Sequence, residues 1–371
     1  MKSAFLILSA LVATATASPV ASHTADPHPA SLSIARRPSA ASRGERAKAS
    51  LAISRARFSA LSNGVAKNSV TLVDDVNEGF FFTTITIGNG QSFKIDLDTG
   101  SPDLFVPGPA CKSTDGSCTS GGKPINLADH TIHPNGETFH NSYGGDTASA
   151  SGDVYVGPYT LAGVTAKKGF FGVTTSEAGF AMEAQGLLGL SFPFGNTLPH
   201  SVTAKVGEVP IVALGLKSFG FYLSNTNQND SGLFTVNGVD PSHVTGDFNF
   251  EEITGTGLWK FNVSHGQYQV GDVLGDLSGA AGNVTGAIAD TGSTFIEVPT
   301  DVASQIWLNI GAFDDGTGQG TANISCSVAE TGPDVVFTFS DTPFNVPASA
   351  YVVPNGDGTC AAGIAGGAEA S

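Results

Sequence analysis

The tetrapeptide Asp-Thr-Gly-Ser occurs twice in this chain, at residues 98–101 and again at 290–293. Each copy stands at the end of an apolar approach: Ser92 to Leu97 leads into the first, and Ile288-Ala289 leads into the second, with Phe295 and Ile296 following. A given tripeptide is expected about once in 10⁴ positions at average residue usage, so two copies in equivalent settings point to an internal duplication. A single copy would read as a turn, with Asp accepting backbone hydrogen bonds and Gly supplying positive φ. The pair predicts two similar halves, each presenting a carboxylate where a strand ends.

The surrounding sequence predicts an all-β chain. It holds 47 glycines and 24 phenylalanines, with many short Val/Thr/Ile runs and few Leu- or Ala-rich stretches at helical period. Phe80 to Ile87 and Ser92 to Leu97 read as strands joined by a Gly88-Asn89-Gly90 hairpin turn. At 371 residues the chain is long enough for two lobes of ordinary domain size.

Charge divides the chain. All six arginines lie before residue 60, whereas Thr71 to Ser371 carries eight lysines, no arginine and 31 Asp plus Glu, a formal charge of −23 (8 − 31). So acidic a body argues against nucleic acid and anionic membrane as partners. Residues 1–17 have the pattern of a signal peptide: Lys2, an apolar run from Ala4 to Ala13, then Ala15-Thr16-Ala17. Residues 18–74 read as a basic pro-segment held on the acidic body by Coulomb attraction, which acid would loosen. A disordered basic linker is the alternative. The body divides into lobes at 75–245 and 246–371. A secreted, extracellular, monomeric protein is expected.

Two adjacent carboxyls can hydrolyse a peptide bond without a metal or a nucleophilic side chain. Close like charges do not both ionise cheaply, so the pair keeps one proton over an acidic window: one member takes a proton from water, the other gives one to the carbonyl oxygen. Asp98 and Asp290 are the candidates. Gly100 and Gly292 let backbone approach them, and the hydroxyls of Thr99, Ser101, Thr291 and Ser293 can donate hydrogen bonds that fix them. His130 and His133 are spaced for a metal but lack an ordered third ligand, so no metal or other cofactor is expected.

The run Phe93 to Pro107 around the first Asp resembles the first catalytic loop of pepsin-like aspartic proteases, particularly the secreted fungal ones. Phe139 to Gly152 is similar to that family's flap hairpin, Gly186-Leu187-Leu188-Gly189-Leu190 to the strand behind the first loop, and Val236-Asn237-Gly238-Val239-Asp240 to the segment linking the lobes. The resemblance implies a bilobal pepsin-like fold with a cleft that takes polypeptide substrates. It also implies that Ser101 and Ser293 support the outer carboxylate oxygens and that Thr99 and Thr291 bond across the lobes. Tyr143 then corresponds to a lid residue, with Gly144 and Asp146 beside substrate. Phe105 stands where the family usually has Trp, and Phe180 resembles a wall of the pocket beside the scissile bond.

Four cysteines in an exported chain suggest two disulfides, Cys111 with Cys118 and Cys326 with Cys360 being the economical pairing among three. Asn229, Asn262, Asn283 and Asn323 begin sequons for N-glycosylation. After Cys360 the tail Ala361 to Ser371 offers no counterpart of the Gly186 to Leu190 strand, so the second lobe is expected to be truncated. That feature keeps open a catalytically inactive homologue that binds peptide or protein in the same cleft.

Overall fold

The computed structural model describes residues 30–33 and 81–367, apart from 144–147, 181–183, 194–197, 224–231, 238–249, 255–256, 264–265, 281, 283 and 340–341. The signal-peptide pattern, most of the basic segment, the lobe-linking residues after Asn237, and Asn229 and Asn283 fall outside these residues.

The fold is mostly β. β1, Ala30–Ser33, belongs to the basic segment; in the first lobe, β2 is Phe82–Ile87, β3 Gln91–Asp98, β4 Leu104–Lys112, β5 His133–Tyr143, β6 Ala148–Leu161, β7 Val164–Ala178, β8 Gly186–Gly189, β9 Phe219–Tyr222 and β10 Leu233–Val236. Seven of them form one sheet in the order β2-β3-β8-β4-β7-β6-β5. The β2–β3 turn uses Gly88 (φ 64°) and Gly90 (φ 80°), a left-handed backbone that other residues adopt at a cost. Along β2, Ile85 and Ile87 turn into the main core while Thr84 faces out; Phe82, on the other face, packs into a second cluster with Phe105 and Phe139. This pattern fixes register, because a one-residue slip would expose both isoleucines.

The second lobe is built from shorter strands: β11 Lys260–Asn262, β12 Gln267–Val270, β13 Val273–Asp276, β14 Gly286–Ile288, β15 Ile296–Val298, β16 Phe313–Asp314, β17 Ala322–Ile324, β18 Val335–Phe339, β19 Thr342–Val346, β20 Val352–Pro354, β21 Cys360–Ala362 and β22 Ile364–Gly366. They pair as β11-β14, β13-β12-β18-β19, β15-β22 and β16-β17-β21-β20. The helix Thr300–Ile310 starts after Pro299 and ends at Gly311 in the left-handed region (φ 75°). Its buried face, Val302, Ala303, Ile306, Trp307 and Ile310, follows helical spacing and packs into this lobe's core.

Both expected disulfides form, Cys111–Cys118 and Cys326–Cys360. Among the described residues, no helix is long and apolar enough to cross a membrane.

The tail is itself strand-forming. Residues 360–366 form two strands, and β22 runs parallel to β15 with Ile296 opposite Ile364. Trp307 Nε1 donates to Ile364 O (2.9 Å) and Ile296 N to Gly363 O (3.0 Å). β22 thereby takes the place that β7 holds in the first lobe, where β4 and β7 are also parallel, with Phe105 opposite Gly172. Among the described residues, no strand takes the place of β8 beside β14.

Candidate active site

The first Asp loop is enclosed. Asp98 ends β3, opposite Gly189 of β8, and residues 98–101 are all buried. Backbone bonds from behind hold it: Leu190 N to Asp98 O (2.7 Å), Gly189 N to Asp103 O (2.8 Å) and Ser191 N to Ser101 O (3.0 Å). Gly189 lies so close that a Cβ there would come within 2.4 Å of both Asp103 N and Ser101 O. These are backbone atoms, so the loop itself would have to shift. Gly189→Ala should cost about 1–3 kcal/mol of stability in urea unfolding and displace the first carboxylate, lowering kcat more than it raises KM.

Asp103 anchors the far side of this loop. Its buried carboxylate accepts from Asn141 Nδ2 of β5 (2.9 Å), and from Val202 N (2.7 Å) and Thr203 N (2.8 Å) of the helix Val202–Val206. Burial pushes its carboxyl above the ordinary carboxylate value, while these hydrogen bonds pull the other way. The same side chain thus ties the loop to β5. Nothing local in the sequence marks this role, since its partners in the helix lie about a hundred residues away.

The second Asp loop is more open: Asp290, Thr291 and Ser293 are each half-buried. β14 approaches it beside β11, and Ala289 N donates to Trp259 O (3.0 Å). Trp259 also donates from Nε1 to Leu190 O (2.9 Å), so one buried residue, through its indole and its carbonyl, joins the backing of the first loop to the strand entering the second. Sequence reasoning passed over Trp259, although a scarce indole in an apolar run beside Leu258 could have drawn notice.

The two loops meet through their threonines. Thr99 Oγ1 donates to Ala289 O (2.9 Å) and accepts from Thr291 N (2.8 Å). Reciprocally, Thr291 Oγ1 donates to Leu97 O (2.7 Å) and accepts from Thr99 N (3.0 Å). Four hydrogen bonds therefore lock the residues beside Asp98 and Asp290 together across the lobes. Thr99→Val removes two of them and strands the Ala289 carbonyl and Thr291 N–H, which should cost about 2 kcal/mol or more. Thr99→Ser keeps the hydroxyl and should recover most of the loss in the same unfolding assay.

Each carboxylate accepts from the glycine two residues on, Gly100 N to Asp98 Oδ1 (2.8 Å) and Gly292 N to Asp290 Oδ1 (2.9 Å). Ser293 Oγ donates to Asp290 Oδ2 (3.1 Å). Ser101 corrects the expectation: its hydroxyl is buried and makes no hydrogen bond to the first carboxylate. Backbone, through Gly100 N, supplies the support there.

The remaining candidates separate by position. Tyr143 is the last residue of β5, opposite Ala148 at the start of β6, which puts it at the tip of the paired part of the flap hairpin. Gly144 and Asp146 lie outside the described residues. Phe105 and Phe180 are buried at an edge-on centroid distance of 5.4 Å, and Phe105 also packs near Phe139 at 6.4 Å. This packing makes both part of the first lobe's core. Gln185, just ahead of β8, bridges β3 and residue 123: it accepts from Lys94 N at Oε1 (3.3 Å) and donates from Nε2 to Lys123 O (2.7 Å).

Behind the flap sits an unanticipated acid. Glu177, at the end of β7 opposite Ala150 of β6, is buried and accepts from Thr174 Oγ1 (2.6 Å). Burial pushes its carboxyl up to about 7, and nearby Asp115 adds to the shift. Asp115 lies in the loop closed by Cys111–Cys118 and is held by Ser117 Oγ (2.6 Å) and Gly179 N (2.6 Å). Cys111, Cys118 and Glu177 form a cluster of metal-capable side chains, but both sulfurs are committed to the disulfide.

Two mutually locked, strand-borne Asp-Thr-Gly-Ser loops in a bilobal β fold define an aspartic protease architecture. A family model described as eukaryotic aspartyl protease matches residues 80–371. The chain is 31% identical over 311 residues to rhizopuspepsin-1 of Rhizopus niveus, covering 82% of this chain and 75% of the relative. It is 30% identical over 294 residues to gastricsin of Callithrix jacchus, covering 78% and 72%. With the probable vacuolar protease A of Arthroderma benhamiae, identity is 31% over 310 residues, covering 80% and 71%. The chain belongs to the eukaryotic aspartyl protease family.

Proposed function

We propose that this protein is a secreted endopeptidase, made as a zymogen, that hydrolyses peptide bonds of extended polypeptides at acidic pH with Asp98 and Asp290 as its catalytic pair. The observation that carries the reading is the reciprocal threonine lock, which fixes the two Asp loops against one another. Over an acidic window the two carboxyls hold one proton. The ionised member draws a proton from water as that water attacks the peptide carbon, and the protonated member supplies one to the carbonyl oxygen. Tyr143 closes over bound substrate from the flap tip and helps to exclude water.

Zymogen status draws support from β1. Ala30–Ser33, within the basic segment, pairs antiparallel with β10, Ala30 opposite Val236 and Ser33 opposite Leu233. A segment seated by strand pairing and by opposite charge is released when acid neutralises the body's carboxylates. Two disulfides fit an oxidising compartment, which supports export.

A second reading, a peptide-binding homologue without turnover, is favoured by the half-buried second loop. One experiment separates them. The full chain, exported from a eukaryotic host, is acidified and given an unfolded protein between about pH 3 and 6. Loss of the basic segment with cleavage of the substrate supports the endopeptidase. Tight peptide binding by a folded protein with no cleavage establishes the second reading instead.

A further inference from the structure

The hairpin β16–β17 places an exposed aromatic ring beside a sequon. Phe313 pairs directly with Asn323, and the sequon is Asn323-Ile324-Ser325. Directly opposed residues of an antiparallel pair project from the same face, with Cβ atoms roughly 4.5–5.5 Å apart. Phe313 is 62% exposed, so its ring is open to a covering group. Asn323 is half-buried, while its neighbours Ala322 and Ile324 turn into the core.

The register is well pinned. Asp315 N donates to Thr321 O (3.0 Å), and the Asp315 carboxylate accepts from Thr317 Oγ1 (2.6 Å) and Thr321 Oγ1 (2.6 Å). Beyond the turn, Cys326 is bonded to Cys360, and β17 pairs with β21. Phe313 and Asn323 therefore stay opposite one another. Asn262, the other described sequon asparagine, faces Gly286 across its strand pair and has no ring there.

We infer that Asn323 carries an N-linked glycan whose first N-acetylglucosamine lies over the ring of Phe313. The attachment is a group transfer from a polyprenyl-diphosphate oligosaccharide. A bond forms from Asn323 Nδ2 to the sugar's C1, the bond from C1 to the diphosphate oxygen breaks, the amide gives up one proton, and the lipid diphosphate leaves with the electron pair. The apolar face of the sugar's C–H groups then covers a ring that water otherwise wets, so the glycan stabilises this hairpin as well as solubilising it.

This inference rests on export through a glycosylating compartment, and its test keeps the two apart. The full chain is secreted from a eukaryotic host as wild type, Phe313→Ser and Asn323→Gln, and the peptide carrying residue 323 is analysed by mass. Occupancy of wild-type Asn323 is expected. Complete removal of glycans should lower the wild-type Tm by about 2–4 °C, trimming to the first sugar should preserve it, and complete removal should leave the Tm of Phe313→Ser and Asn323→Gln unchanged. Secreted protein with Asn323 unmodified overturns the inference and leaves export standing. Occupancy with an equal Tm loss in wild type and Phe313→Ser overturns the ring contact. A chain retained unmodified in the cytosol overturns both this inference and export.

Discussion

Asp98→Asn and Asp290→Asn should each lower kcat/KM for an unfolded protein substrate by about 10³-fold or more, because an amide can neither accept water's proton nor donate in its partner's place. The loss should fall in kcat while peptide binding persists, since each substitution preserves shape. The double variant should be scarcely worse than either single one: residues that act as a unit fail together. Active-site titration with a tight-binding peptide inhibitor, followed by single-turnover kinetics, separates lost chemistry from lost folding. The lobes should remain joined in both variants, because the threonine lock uses no carboxylate oxygen.

The second large effect concerns stability against pH, and Glu177 is its source. Its folded carboxyl titrates at about 7 against an ordinary 4.5. Below the ordinary value it is protonated in both folded and unfolded chains, and its burial carries no ionisation penalty. Between those values the unfolded chain releases the proton and the folded chain retains it, so stability falls as pH rises. The integrated loss by neutral pH is about 3 kcal/mol. Glu177→Gln, which keeps an acceptor for Thr174, should match wild type near pH 4 and exceed it by roughly that amount near pH 7.5 in urea unfolding. A gap that stays constant with pH would show that Glu177 titrates as an ordinary carboxyl.

This titration has a structural address. Glu177 sits on β7 opposite Ala150 of β6, and Asp115, whose own carboxyl is held below the ordinary range by Ser117 and Gly179, acts on it from the disulfide loop. Ionised Glu177 would lie buried beside a second negative charge. The stability lost on neutralisation should therefore be felt where β7 pairs with β6.

The features legible in the sequence were those written in adjacent residues. The doubled Asp-Thr-Gly-Ser, the Gly88-Asn89-Gly90 turn and the short spacing of Cys111 and Cys118 each combine residue type with local distance. What escaped notice depended on distant partners. Glu177 ends the run Thr174-Thr175-Ser176-Glu177, which reads as an exposed polar strand end, yet Thr174 and Glu177 both turn inward. Asp103 looks like one more loop carboxylate until the helix Val202–Val206 arrives to donate to it. The tail strand β22 spans only Ile364-Ala365-Gly366, too short for alternation to show, and owes its place to Trp307 and β15. Ser101 shows the converse: its neighbours form the locked loop, but its own buried hydroxyl makes no hydrogen bond in the role its position suggested.

The proposed catalytic pair, Asp98 and Asp290, is tested most directly by the pH dependence of kcat/KM for a peptide substrate, from about pH 2 to 8, with and without a metal chelator. A maximum in acid that falls on both sides, with two apparent pKa values belonging to the pair and no effect of the chelator, is the expected result. Activity that climbs through neutrality, or that the chelator abolishes, would contradict hydrolysis by Asp98 and Asp290 sharing one proton.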